Sequence, residues 1–273
     1  VKIDINKLFA TLEIAHFLRS WLRCSSVLGS AVHLCICSAV HLVICSLSLG
    51  ARPNPTLDTV LSPRLLDIYD ITNSVVVVID VFRATSTIAT ALHNGAARVI
   101  PVDTVEQCIQ IGKTTGGITA GERDGKVIEG LDYGNSPAEY PRKFIAGKTL
   151  VLTTTNGTRL LHMALNNGAS EVITGSFPNL SAVCEHLVSQ NKNVILACSA
   201  WKDRFNLEDA LFAGAVISRI QDHFTIHCDS SLMAADMYGI HKNDMHSFIR
   251  RTTHWHRLAS YGLEKDIDRN GTR

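Results

Sequence analysis

The apolar positions of this chain fall into two unlike regimes. Between residues 27 and 49 they run almost unbroken, interrupted only by serines, one glycine, His33 and His41. From Asp58 onward, short β-branched runs alternate with stretches of helical period. Ser74–Asp80 (SVVVVID) is wholly apolar between its ends, which predicts a central strand buried on both faces. The spacing then predicts a helix over 85–92, a strand over 97–102 and a helix over 105–113. Further strands are expected over 149–154, 171–174 and 193–198, and further helices over 157–165, 179–189 and 207–221. Residues 231–258 read as helical and are richer in His and Arg. The alternation predicts an α/β fold, a mainly parallel or mixed sheet flanked by helices.

The first regime stands apart. Arg19 and Arg23 precede an apolar segment long enough to span a bilayer. Ser30–Leu34 (SAVHL) recurs as Ser38–Leu42, which reads as low complexity. A membrane anchor, a non-native extension and a packed helix are the three readings, and a membrane partner is expected only under the first. Arg52-Pro53-Asn54-Pro55 is a breaker-rich linker. It divides an atypical N-terminal extension, 1–55, from a patterned domain, 56–273.

Composition narrows the function. Lys and Arg number 26 against 25 Asp and Glu. This balance offers no basic surface for nucleic acid, so any anion site must be local. Of eight cysteines, Cys24, Cys35, Cys37 and Cys45 crowd the first regime, while Cys108, Cys184, Cys198 and Cys228 are scattered. With no CxxC pair, the scattered four read as reduced thiols of a cytoplasmic protein.

In open α/β sheets ligands bind beyond the carboxyl ends of the strands. Four polar clusters fall there. Asp80-Val81-Phe82-Arg83-Ala84-Thr85-Ser86-Thr87 puts a carboxylate, an arginine and hydroxyls where a strand enters a helix, a place suited to phosphate. The alternative role of Thr85 or Ser86 is helix capping alone. Gly121-Glu122-Arg123-Asp124-Gly125, followed by Gly134-Asn135-Ser136-Pro137, reads as a charged loop with an Asp-Gly turn. Thr153-Thr154-Thr155-Asn156-Gly157 repeats the physics of the first cluster and lacks the spacing of a P-loop. Cys198-Ser199-Ala200-Trp201-Lys202-Asp203 leads to Glu208 and Asp209, acidic residues that a helix start favours in any case. Cys198 reads as a buried small residue, and His254 and His256 as surface or interface histidines.

In this order the four clusters resemble the 2-phosphosulfolactate phosphatase (ComB-like) family. The phrases VVVVIDVFRATSTIATAL, TAGERDGKVIEGLDYGNSP, LTTTNGT and NLEDALFAG carry the resemblance from about Thr59 to Asp266. It implies a phosphoric monoester hydrolase that uses Mg2+ to convert 2-phosphosulfolactate to 3-sulfolactate and phosphate, a step of coenzyme M biosynthesis in methanogens. It also implies a homodimer and a small phosphorylated sulfo-acid as partner. Three departures stand against the family pattern: the segment 1–55, Ala200 where glycine is expected, and a chain ending at Arg273 where relatives continue.

On this reading Asp80, Arg83, Arg123 and Asn156 are the catalytic candidates. Thr85, Ser86, Asn135, Ser136, Thr155 and Gly157 are the substrate-binding candidates. Asp80, Glu122 and Asp209 are the expected magnesium ligands. Attack by Asp80 and attack by a metal-bound water both remain open. A non-catalytic anion-binding protein on the same scaffold and a membrane-tethered interaction protein are the competing readings.

Overall fold

A computed structural model describes residues 54–226 and 228–263. The apolar segment 27–49, and with it the anchor and extension readings, lies outside the described residues. Among the described residues no helix is long and apolar enough to cross a membrane.

Among the described residues, eight strands form two sheets rather than one. They are β1 (Leu57–Val60), β2 (Val75–Ile79), β3 (Arg98–Pro101), β4 (Ile118–Arg123), β5 (Lys126–Val127), β6 (Thr149–Thr153), β7 (Glu171–Gly175) and β8 (Val194–Cys198). The first sheet has the order β1-β8-β2-β7 and is parallel throughout. The second has the order β3-β6-β4-β5, parallel except for the β4–β5 hairpin. The helices are α1 (Ala84–His93), α2 (Val105–Thr115), α3 (Arg142–Ile145), α4 (Gly157–Asn166), α5 (Leu180–Gln190), α6 (Leu207–Ile220), α7 (Asp229–His241), α8 (Met245–Arg250) and α9 (Thr253–Ala259).

Strand β2 is buried on both faces, as its apolar run predicts. The period of two sorts its side chains. Val75, Val77 and Ile79 enter a core shared with α5 and α6. Val76 and Val78 enter a second core shared with Leu160 and Ala164 of α4. Strand β8 divides in the same way, with Leu196 and Cys198 on one side and Ile195 and Ala197 on the other. Burying one such side chain contributes roughly 1.5–3 kcal/mol, so this pair of central strands anchors the first sheet.

Helix α6 is buried around most of its circumference. Its Gly214 is required by close packing, since a Cβ there would lie 2.0 Å from the carbonyl oxygen of Ala234 on α7. Helix α1 links the two sheets. It leaves the tip of β2, yet its Ile88 and Ala91 pack with Ala120, Leu150 and Leu152 of the second sheet.

One expectation is corrected. Gly121-Glu122-Arg123 is the end of β4 and not a loop, and only Asp124-Gly125 turns, both residues at positive φ. That matches the two-residue hairpin geometry that Asp-Gly favours. Residues 231–258 are helical, as expected, and are divided among α7, α8 and α9.

Candidate functional site

The carboxyl ends of β2 and β8 from one sheet, and of β4 and β6 from the other, open on a shared cleft. It encloses about 470 Å³, including the mouth open to solvent. Among its lining residues are Asp80, Arg83, Glu122, Asn135, Thr155 and Asn156. Four separate stretches of sequence therefore meet in one place.

Asp80 directly follows β2 and is 8% exposed. Burial, opposed by His254 and reinforced by Glu122 and Glu208, pushes its carboxyl up to about 6. Gly157 opens α4 directly beside it: a Cβ on Gly157 would lie 2.8 Å from Oδ2 of Asp80. A glycine at this spot lets the helix start approach the carboxylate. The Phe82–Arg83 peptide bond is cis. Arg83 is buried and donates from Nη2 to the carbonyl of Gly125 at 3.3 Å, which ties the first sheet's tip to the β4–β5 turn.

Glu122 binds the second sheet's loops together. Its Oε1 accepts from the Thr155 N–H at 2.9 Å and its Oε2 from the Gly125 N–H at 2.8 Å. Asn135 is held by its own backbone, whose carbonyl accepts from the Thr87 hydroxyl at 3.0 Å. Its Oδ1 is buried without a hydrogen-bond partner among the described residues, as are Thr155 Oγ1 and Arg257 Nη2. All three of these residues line the cleft. Buried polar groups are almost always paired, so three such atoms in one cleft mark a place built for a polar ligand.

Other expected site residues are engaged elsewhere. The Thr85 hydroxyl donates to the Asp80 carbonyl at 2.8 Å and the Ser86 hydroxyl to the Val81 carbonyl at 2.8 Å. Both residues are fully buried and close their own turn. The Ser136 hydroxyl accepts from Ala138 N–H and begins a short 3-10 turn. The Arg123 guanidinium is drawn to the Glu122 carbonyl at 2.8 Å and to Thr153 Oγ1 at 3.1 Å, outside the cleft lining. Asp209 lies beneath the cleft, where it accepts from the Val81 N–H at 2.9 Å. Burial, then Glu208 and Asp80, raise its carboxyl well above the ordinary range. Cys198 is fully buried, and Cys108, Cys184, Cys198 and Cys228 are all free thiols.

Arg257, Leu258 and Tyr261 also line the cleft and escaped the sequence reading, while Trp201 and His254 were named there without a place in the site. His254 is buried and not on the surface, whereas His256 is exposed. Nδ1 of His254 bonds Oε1 of Glu208, and its ring meets Phe82 edge-on, the centroids 6.0 Å apart. The buried partner, Glu208, is the residue that the helix-start explanation had covered. Ala200 takes φ +56°, in the left-handed region that favours glycine.

A family model described as 2-phosphosulpholactate phosphatase matches residues 60–271. The chain belongs to that family. Curated relatives agree. A protein of Thermotoga petrophila named "Probable 2-phosphosulfolactate phosphatase" is 44% identical over 192 residues, 70% of this chain and 82% of that relative. Proteins with the same name from Caldanaerobacter subterraneus subsp. tengcongensis and Clostridium acetobutylicum are 39% and 36% identical, and the alignments cover 83% and 91% of their lengths. The two four-stranded sheets flanked by helices are this chain's version of the family's α/β fold.

The family resemblance implies a divalent cation, and the carboxylates here can be weighed against it. Among the described residues no group of three or more His, Cys, Asp or Glu is arranged to hold a metal. Asp80 and Glu122 do share the cleft, and Glu122 raises the electrostatic cost of ionising Asp80. Two carboxylates fit magnesium, which keeps several waters and takes substrate phosphate oxygens as further ligands. Asp209, placed beneath the cleft and bonded to the backbone, is the poorest fit of the three expected ligands.

Proposed function

We propose that this protein hydrolyses the phosphate ester of a small, multiply acidic substrate of the 2-phosphosulfolactate type, releasing 3-sulfolactate and phosphate, with Mg2+ as cofactor. One observation carries the reading: Asp80 and Arg83 from the first sheet share a cleft with Glu122, Thr155 and Asn156 from the second. The names of the relatives supply the substrate class.

In this reading Asp80 and Glu122 would hold the cation. When bound, it would neutralise charge on the phosphoryl oxygens, the main requirement of phosphoryl transfer. Arg83 grips phosphate oxygens with its planar fork. The start of α4, brought against Asp80 by Gly157, presents its positive dipole end to the phosphate. His254, oriented by Glu208, is the proton donor to the departing alkoxide. Asp80 governs the attack on phosphorus, either as nucleophile or by orienting the attacking water.

Phosphate release from 2-phosphosulfolactate, with and without added magnesium, tests the reading. We expect release that chelation abolishes and that Asp80→Asn lowers by about a thousandfold or more. A phosphoenzyme trapped in the wild type and lost in Asp80→Asn would identify Asp80 as the nucleophile. Full metal-dependent turnover in Asp80→Ala would overturn both versions, and binding without turnover by the wild type would favour an anion-binding protein.

A further inference from the structure

The cleft contains a second guanidinium, and its surroundings differ from those of Arg83. Arg257 comes from α9, far from Arg83 in sequence, and lies with its guanidinium carbon 3.9 Å from the ring centroid of Trp201. Trp201 is itself held firmly. It begins a tight turn in which Trp201 N–H and Arg204 N–H each donate to the other's carbonyl, at 2.9 and 3.0 Å. Lys202 and Asp203 at the turn's centre both take positive φ, the geometry of a two-residue hairpin. The Asp203 carboxylate is anchored by Arg159 at 3.0 Å.

Two cations rest on the Trp201 ring, and they are engaged differently. Lys202 Nζ lies 4.7 Å from the ring centroid and pairs with Asp124 at 3.1 Å. Arg257 has Nη2 buried without a hydrogen-bond partner among the described residues. A buried guanidinium nitrogen left unpaired is costly. Stacking on Trp201 fixes the plane of the fork without using its N–H donors.

Resting on the phosphatase reading above, we infer that Arg257, laid on Trp201, is a specificity-determining residue: it binds a non-reacting acidic group of the substrate. Arg83 leaves the tip of β2 beside Asp80 and takes the phosphate. Arg257 enters from α9 and takes the second anion. A carboxylate and a sulfonate both offer paired oxygens to such a fork, so either group satisfies the chemistry.

The test uses the full chain and four phosphate esters: 2-phosphosulfolactate, an analogue lacking the sulfonate, an analogue lacking the carboxylate, and phenyl phosphate. Arg257→Met is expected to raise KM about 10- to 100-fold for 2-phosphosulfolactate, with a much smaller change in kcat. On phenyl phosphate it is expected to lose less than about threefold. The single-acid analogue that keeps the full penalty names the group recognised. Arg257→Lys retains charge without the fork and should fall between. In parallel, 3-sulfolactate is titrated by calorimetry, with its Kd expected to rise by a similar factor in Arg257→Met.

An equal loss on all four esters, or no change in KM, overturns the inference while leaving the phosphatase reading intact. A wild type that cleaves none of the esters overturns the phosphatase reading. The titration then still decides the role of Arg257: an unaltered Kd, or no binding to the wild type, removes it.

Discussion

Two junctions of this molecule look alike in sequence and divide their labour in the same way. At the tip of β2, the Thr85 hydroxyl donates to the Asp80 carbonyl and accepts from the Asp80 N–H, at 2.8 and 3.1 Å. At the tip of β6, the Thr158 hydroxyl donates to the Thr154 carbonyl and accepts from the Thr154 N–H, at 2.9 and 3.3 Å. In each case a buried threonine staples the strand end to the helix that follows. The groups that reach the cleft sit just ahead of the helix: Asp80 and Arg83 in one junction, Thr155 and Asn156 in the other. The difference lies in charge. The first junction brings a carboxylate and a guanidinium of its own. The second brings neutral side chains and borrows its carboxylate, Glu122, from β4. A hydroxyl-rich strand-to-helix turn is thus scaffold first, and its chemistry depends on what the turn holds in place.

The largest effect expected from disturbing this pairing is at the point where the junctions touch. Gly157→Ala would set a Cβ 2.8 Å from Asp80 Oδ2 and 3.0 Å from Ala84 Cβ. We expect kcat/KM to fall about 100-fold, since displacing a reacting group by an ångström has that consequence. A steady-state assay beside a thermal melt would separate this from unfolding. Next come the staples. Thr85→Val and Thr158→Val each strand buried backbone groups and should each lower stability by about 1–3 kcal/mol. Denaturant titration would reveal a mismatch if only one of the two mattered.

Asp80 itself should show an opposite sign. Its carboxyl is raised to about 6 by burial and by neighbouring carboxylates, so the fold prefers it protonated. That preference favours folding fully below about pH 4 and is lost as pH rises through about 6. With chelator present, Asp80→Asn should therefore be more stable than wild type at pH 8 by about 1–3 kcal/mol. The advantage should fade as pH falls toward about 4, a trend that melts across pH would follow. Smallest is Ala200→Gly, which relieves a positive φ and should add roughly 1 kcal/mol to stability, measured by denaturant midpoint.

Much of the architecture was legible because it follows local period. The SVVVVID run, the helix behind it and the later β-α pairs needed only the alternation of apolar positions. The division into two sheets was not legible, since strand order is decided by packing between distant segments. The Gly121–Arg123 stretch was read as loop because its glycine and charges mask a short strand; the Asp-Gly pair beside it was the true turn signal.

The site divides similarly. Asp80, Arg83, Glu122 and Asn156 stand at strand ends, where chain direction alone suggests a ligand. His254, Arg257 and Tyr261 belong to the C-terminal helical region, and no local pattern says that α9 lies against those strand ends. Trp201 was within a marked cluster, but its use as a platform needs Arg257 above it. Thr85 and Ser86 are the reverse case, polar residues at a favourable position whose hydroxyls bond the backbone.

The most direct test of the account asks whether Asp80 and Glu122, from different sheets, act on one phosphoryl group. Magnesium-dependent phosphate release would be measured for wild type, Asp80→Asn, Glu122→Gln and the double variant. The account predicts that each single change removes most of kcat and that the double is scarcely worse than the poorer single, as for groups that work as a unit. Losses that simply multiply, or a Glu122→Gln variant with wild-type turnover, would contradict it.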